Sequence, residues 1–314
     1  MPKGGRIERP VSRLRPSDLA DLGPCAQYPP GSSKMPQALA PDRLYRCPDC
    51  GLGQRHPYPD EAILAAAYRE TEVNSLEYNF ADNAAWYQAL DLLSADSSSQ
   101  AKTILDVGCH SGLFLAGLPQ HWRRFGIESA HDPLQLAMEQ HGVEIIAERI
   151  ESVPARWNGQ FDVVTLFDVF EHLVFPLDGL RRVSELVRPG GRLIIITSDM
   201  DAWTWRLAAG QHWYLQTPLH LSFGSRRYFR RLPRWLPLHL HSLWRIPHQH
   251  GTNAIRRRQA VELIYWQCRQ RGGWYQLLQR LIQAFPEYRD LRHHQSPPWT
   301  MNLRDHVLVS FDRL

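Results

Sequence analysis

Two acidic residues and two glycines set the chemistry that this sequence can support. In "ILDVGCHSGLFL" (104–115), Asp106 stands just before Gly108, and three residues separate Gly108 from Gly112. A dinucleotide loop needs G-x-G-x-x-G, so that main-chain amides at a helix N-terminus meet a pyrophosphate. That spacing is absent, and a carboxylate at Asp106 would repel a pyrophosphate. Asp106 suits a ligand that carries a cationic amino group and no phosphate, as S-adenosylmethionine (SAM) does. Glu128 follows Gly108 by 20 residues, where an acid at the end of a second strand can take both hydroxyls of a ribose. His110 occupies a loop position where glycine is expected. Histidine is one of the few side chains that enter the left-handed region, at about 1 kcal/mol. The loop is therefore expected to keep its turn, with the imidazole able to donate to a carboxylate of the ligand.

These residues need strands and helices to position them, and from residue 103 onward the two alternate. "TILDVG" (103–108), "RRFGIES" (123–129), "VEIIA" (143–147), "FDVVTLFD" (161–168) and "RLIIITS" (192–198) read as strands. "DPLQLAMEQHG" (132–142) reads as a helix closed by Gly142, and "PLDGLRRVSELVRPGG" (176–191) as one that stops at Pro189-Gly190-Gly191. Such alternation predicts a parallel sheet covered on both faces. Its ligand belongs beyond the carboxyl ends of the strands, at the switch point. "LPLHLHSLWRI" (236–246) and "DHVLVSFDR" (305–313) read as an antiparallel pair interrupted by a helical insert at about 253–285. The expected fold is an α/β, Rossmann-like, doubly wound sheet of seven strands whose last strand is antiparallel.

At this point the sequence resembles the class I SAM-dependent methyltransferases, in particular the subgroup of ubiquinone-biosynthesis O-methyltransferases. "LDVGCHSG" is similar to that family's first motif, usually written with glycine in place of His110. "FDVVTLFDVFEHL" (161–173) resembles its fourth-strand motif, "LVRPGGRLIIIT" (186–197) its fifth-strand lead-in, and "PLHLSFGSRRYFRRL" (218–232) the segment that follows. The resemblance covers about residues 103–245 and returns in the last strand. It implies that Asp106, Gly108 and Gly112, with Cys109 and His110 between them, hold the methionine part of SAM. Glu128, beside Ser129, would take the ribose. Glu148 and Arg149 would border the adenine, and Phe167 and Asp168 would lie beside the methyl group.

Methyl transfer from a sulfonium is an in-line displacement that needs alignment and exclusion of water, and an oxygen or nitrogen acceptor can also need a base. His172 and His220 are the candidate catalytic bases, against the reading of structural histidines bonded to the backbone. Asp168, Glu171 and His172 stand at i, i+3 and i+4, which converge if a helix begins early. With His220 they would make an octahedral divalent-metal site, similar to that of metal-assisted methyltransferases acting on RNA ends. Trp203, Trp205, Trp213 and Tyr214 could steady a sulfonium or stack on a ring acceptor, or pack in the core.

The N-terminal third divides into a disordered leader (1–24), a module rich in Cys, Pro and Gly (25–60) and a helical lead-in (61–100, with "DEAILAAAYRE" and "NAAWYQALDLLS") before the main domain (101–314). "YRCPDCGLGQRHPY" carries a Cys47-x-x-Cys50 knuckle, the second half of a zinc ribbon. The first half reads "CAQY", with Cys25 but Tyr28. It resembles the zinc-binding segment that precedes the SAM domain in sugar C-methyltransferases. Cys25, Cys47 and Cys50 are the expected structural zinc ligands, with His56 the nearest fourth. The alternative is a ribbon that has lost its metal and persists as packing. Cys109 and Cys268 are expected to pack.

Composition narrows the rest. No apolar run approaches the roughly 18–20 residues of a membrane span, and the basic N-terminus lacks the apolar core of a secretory signal. An odd count of five cysteines argues against a disulfide framework, so a cytoplasmic protein is expected. Residues 201–314 hold 17 Lys+Arg against 6 Asp+Glu and eight of the eleven tryptophans. That balance suits an anionic or ring-bearing substrate as well as it suits solvated arginines over a packed core. The expected function is methyl transfer from SAM to a small-molecule or saccharide acceptor, with oxygen favoured as the accepting atom. Two alternatives stand beside it, a metal-assisted RNA-directed methyltransferase and a non-catalytic SAM-fold scaffold disabled at His110.

Overall fold

Short runs of β-branched and apolar residues, such as those in 103–107 and 193–197, can bury both faces of a strand at once. The computed structural model describes residues 19–25, 42–58, 64, 83–94 and 102–314. Its first strands are β1 (Ala20–Pro24), β2 (Arg43–Arg46) and β3 (Gly53–His56). Helix α1 (Ala84–Ser94) precedes β4 (Lys102–Val107), α2 (Leu113–Ala116), β5 (Trp122–Ile127), α3 (His131–His141) and β6 (Glu144–Ala147). There follow β7 (Phe161–Phe167), α4 (Pro176–Leu186), β8 (Val187–Ser198), α5 (Trp203–Ala208) and β9 (Ser222–Phe223). The chain ends with α6 (Arg226–Arg231), β10 (Leu238–Ile246), α7 (Asn253–Arg271), α8 (Tyr275–Ala284) and β11 (His306–Arg313).

The main sheet has seven strands in the order β10-β11-β8-β7-β4-β5-β6. Strand β11 runs antiparallel to both β8 and β10, and β4, β5, β6, β7 and β8 are mutually parallel. This is the expected architecture. From β4 the chain builds outward through β5 and β6, then returns to β7 on the other side, so the crevice opens at the carboxyl ends of β4 and β7. Period-two alternation fills both faces. Leu105, Ile195 and Val309 join one core cluster, while their neighbours Ile104, Ile194 and Leu308 join the other.

Helix α4 stops at Leu186 rather than at the expected glycine pair, and Val187 already pairs with Phe161. Pro189 disfavours helical geometry in the residue before it, and Gly190 has φ +72°. The result is a register shift between Phe161 and Val163 before regular pairing resumes at Arg192.

The N-terminal segment departs further from expectation. Residues 20–24 of the expected leader form β1, paired antiparallel with β2; residues 1–18 lie outside the described residues. Strands β2 and β3 are not a separate module either, because β3 pairs with β9 and makes a sheet of order β1-β2-β3-β9. Arg55 in β3 is 2% exposed. Its guanidinium forms an ion pair with Asp42 at 2.8 Å and donates to the carbonyls of Thr217 and Leu215. A buried arginine persists only when it is paired in this way, and this one fastens the N-terminal strands to the main domain. Of the lead-in, α1 matches "NAAWYQALDLLS", whereas "DEAILAAAYRE" lies outside the described residues apart from Leu64. Among the described residues no helix is long and apolar enough to cross a membrane.

Candidate active site

The β4 loop turns through three left-handed residues, Gly108 (φ +73°), His110 (φ +47°) and Gly112 (φ +77°). His110 thus adopts the conformation that its position requires. The turn is held from below: Gly108 and Cys109 donate their N–H groups to Ile127 O at 2.8 and 3.1 Å, and Gly112 donates to Cys109 O at 2.9 Å. A Cβ on Gly108 would stand 2.5 Å from Val169 Cγ2, so the turn needs glycine there on two counts. Glu128 closes the loop from the β5 side. Its Oε2 accepts from His110 N at 2.8 Å, and its Oε1 accepts from Ser129 N and Ala130 N, both at 2.8 Å.

Asp106 is 4% exposed and accepts from Thr165 Oγ1 at 2.6 Å. Burial, with the nearby charge of Glu128, pushes its pKa up to about 7. Among the described residues neither Asp106 nor Glu128 has a cationic partner. Both line one cleft together with Gly108, Cys109, His110, Phe167 and Asp168. Two uncompensated carboxylates in a concave site suit a ligand that brings both a cation and hydroxyls, and the expected cofactor fits that donor set.

Sequence reasoning missed Trp86, Ser111 and Leu113, which also line the cleft. The apolar pattern of α1 was visible, but not where that helix docks. Four expected contacts fall outside the lining. Gly112 packs beneath the loop, where a Cβ would meet Val143 and Ala137. Ser129 is exposed, and its N–H donates to Glu128 Oε1. Glu148 and Arg149 follow the edge strand β6 and point to solvent, with Arg149 Nε 3.5 Å from Glu151.

Beyond Phe167 the expected metal set divides. Asp168 takes φ +52° and the chain enters a single 3₁₀ turn (Phe170–His172), with α4 starting only at Pro176. The early helix that would have brought Asp168 onto the face of Glu171 and His172 does not form. Asp168 Oδ2 instead lies 3.1 Å from His248 Nε2, and Asp168, His248 and His306 make one group of converging ligand atoms. Glu171, His172 and His220 make the other.

In that second group Glu171 is fully buried and accepts from Thr197 Oγ1 at 2.9 Å and from Tyr214 OH. Burial and the charge of Asp168 push its pKa up to about 8. His172 Nδ1 donates to Leu219 O at 3.1 Å, and His220 Nδ1 donates to Tyr214 O at 2.8 Å. A carbonyl can only accept, so both rings carry the lone pair on Nε2. Burial lowers the His172 pKa to about 4, and burial with the nearby His172 lowers that of His220 well below its ordinary value.

His248 and His306 were not anticipated. The available signal was topological: an antiparallel last strand begins where its parallel neighbour ends, and His306 pairs with Ser198 at the end of β8. The aromatic residues take the packing role. Trp205, Trp213 and Tyr214 are at most 5% exposed in one cluster, and Trp203 is at the surface.

The three cysteines do not converge. Cys25 N donates to Asp42 O at one end of β2, and Cys47 and Cys50 form the knuckle at the other end. The four residues of β2 separate Asp42 from Cys47, five steps of about 3.3 Å, or about 16 Å. His56 pairs with Arg43, at the Cys25 end. Among the described residues, neither group of converging ligand atoms contains a cysteine. Cys109 and Cys268 are buried as expected.

Residues 77–235, half of the chain, match the family described as methyltransferase domain. The chain belongs to that family. Over 113 residues it is 30% identical to the ubiquinone biosynthesis O-methyltransferase of Escherichia coli O127:H6, covering 34% of this chain and 47% of that protein. The corresponding protein of Escherichia coli O7:K1 is 32% identical over 114 residues, again 34% and 47%. The chain thus spans about half the length of the curated relatives it matches. The solved 1,6-didemethyltoxoflavin-N1-methyltransferase of Burkholderia thailandensis, with S-adenosylhomocysteine bound, superposes with a TM-score of 0.52. That superposition covers 89% of this chain and 99% of the other at 15% identity, a likeness of fold.

Proposed function

We propose that this member of the methyltransferase-domain family transfers a methyl group from SAM to an oxygen of a small-molecule or saccharide acceptor. The observation that carries the reading is the pair of buried carboxyl groups, Asp106 and Glu128, lining a cleft at the switch point and, among the described residues, in no ion pair with a protein cation. Bound there, SAM supplies an electrophilic methyl group on a sulfonium. Asp106 would hold the cofactor's ammonium, whose positive charge would favour the ionised carboxylate that burial alone disfavours. Glu128, oriented by its three main-chain donors, keeps one lone pair, on Oε2, for a ribose hydroxyl. Phe167 and Asp168, which line the same cleft, would border the methyl-donating end.

An oxygen acceptor must give up a proton as the new bond forms. His172 and His220 each hold an unprotonated Nε2, because Nδ1 is tied to a carbonyl. They are the side chains assigned to take that proton. The name of the Escherichia coli relatives, an O-methyltransferase, supports oxygen as the accepting atom.

The test is incubation of the full chain with methyl-labelled SAM and a panel of phenols, saccharide hydroxyls and amines, with products identified by mass spectrometry. A labelled methyl ether is the expected product. Label found only on nitrogen or on carbon would contradict the oxygen assignment.

A further inference from the structure

We propose that Asp168, His248 and His306 form a binding site for a divalent transition-metal ion, separate from the Glu171–His172–His220 group. One ligand atom from each of the three residues lies within 4.8 Å of the other two. Donors that share one zinc-sized ion sit at most about 4.2 Å apart, from two bonds of about 2.1 Å. The cluster therefore needs little or no movement to close on an ion.

The hydrogen bonding points the same way. His306 is fully buried, and its Nδ1 meets Asp305 Oδ1 at 2.9 Å. Asp305 Oδ2 accepts from Trp213 Nε1 and Thr300 Oγ1, so its carboxylate serves as an acceptor and His306 Nδ1 is the donor. Nε2 then carries a lone pair, and that atom is buried without a hydrogen-bond partner. Among the described residues Asp168 Oδ1 is also a buried acceptor without a partner. Orphaned buried acceptors cost about 1–3 kcal/mol each, so two at one place call for a ligand that satisfies acceptors.

A carboxylate behind a histidine is the support that metal-binding imidazoles characteristically have. Asp305 is itself fixed by Trp213 Nε1 at 3.3 Å and Thr300 Oγ1 at 3.0 Å. Two imidazoles and one carboxylate, with no thiolate, favour a borderline ion such as Fe(II), Mn(II), Co(II) or Zn(II) over Mg(II) or Ca(II). Since Asp168 also lines the cofactor cleft, an ion held there would stand at its reacting end.

The probe is Co(II), titrated into chelator-treated full-length protein and followed by its visible absorption, with no cofactor present. Wild type is expected to bind one ion in a nitrogen–oxygen environment. His306→Ala and His248→Ala should abolish that spectrum, Asp305→Asn should weaken binding by about 10–100-fold, and His220→Ala should leave it unchanged. Circular dichroism and melting identify any variant that fails to fold. His248→Ala, at a partly exposed position outside the strands, keeps the test open if His306→Ala unfolds. The proposal is overturned if Co(II) does not bind. It is equally overturned if binding depends on His220 or on Cys47 and Cys50 while surviving His248→Ala. Because the readout needs neither SAM nor an acceptor, its failure would leave the methyltransferase reading intact.

Discussion

The main-chain N–H of His110 points at Glu128 Oε2 across 2.8 Å, and this bond ties the β4 loop to the end of β5. It explains how the loop tolerates a histidine. The left-handed turn is held by a carboxylate that also binds the two amides following it. Glu128 thus positions the loop in addition to its assigned role at the ribose.

Removing the clasp should cost more than removing the histidine. Hydrogen bonds to a charged acceptor contribute about 1.5–3 kcal/mol each, so Glu128→Ala should destabilise the fold by about 3 kcal/mol and abolish cofactor binding. His110→Gly relieves the left-handed strain but adds freedom to the unfolded chain, and should leave stability within about 1 kcal/mol. Chemical denaturation and calorimetry with S-adenosylhomocysteine check both variants. Loss of binding in His110→Gly would mean that the imidazole itself is a ligand contact.

The raised pKa of Asp106 has a defined pH signature. Its ordinary value is 3.8 and its folded value about 7, so between them the folded protein keeps a proton that the unfolded chain releases. Stability of the free protein should therefore fall as pH rises through that window. Affinity for SAM should move the opposite way, rising through about pH 7 as the carboxylate ionises against the ammonium. The affinity trend should vanish in Asp106→Asn, whereas the fall in stability should only shrink, because Glu171, raised to about 8, contributes in the same direction. A flat pH profile of wild-type affinity would contradict the assigned pairing.

Asp199 offers a test of the framework alone. It is fully buried, with Arg245 Nη2 at 2.7 Å and Arg226 Nε at 3.5 Å, and its amide donates to Asp305 O at 2.7 Å. Breaking a buried ion pair from one side typically costs about 3–5 kcal/mol. Asp199→Asn should show a loss of that size by denaturant unfolding; a change below about 1 kcal/mol would mean that water reaches the arginines.

If His220 takes the acceptor's proton, His220→Ala should lower kcat by about 10²–10⁴-fold and leave cofactor affinity unchanged. Equal kcat in the variant would leave His220 a structural residue, held by Tyr214 O.

The sheet was legible because its strands bury both faces and so read as apolar runs, and Gly142 closed α3 as a left-handed cap should. The cleft was legible because the Asp106–Gly108–Glu128 spacing follows from strand and loop lengths alone. The metal-ligand reading failed at Asp168, because nothing local in "LFDVFEH" signals a left-handed aspartate ahead of a 3₁₀ turn. His248 and His306 meet Asp168 only through the β8–β11–β10 pairing. The Cys-x-x-Cys knuckle was plain, but strand register, which no single motif carries, sets Cys25 at the opposite end of β2.

The most direct test of the account is calorimetric titration of the full chain with SAM, for wild type and Asp106→Asn side by side. The account predicts micromolar binding in wild type that Asp106→Asn weakens at least about tenfold above pH 7, a loss of about 1.4 kcal/mol. Equal affinity in the two proteins, or no binding in either, would contradict it.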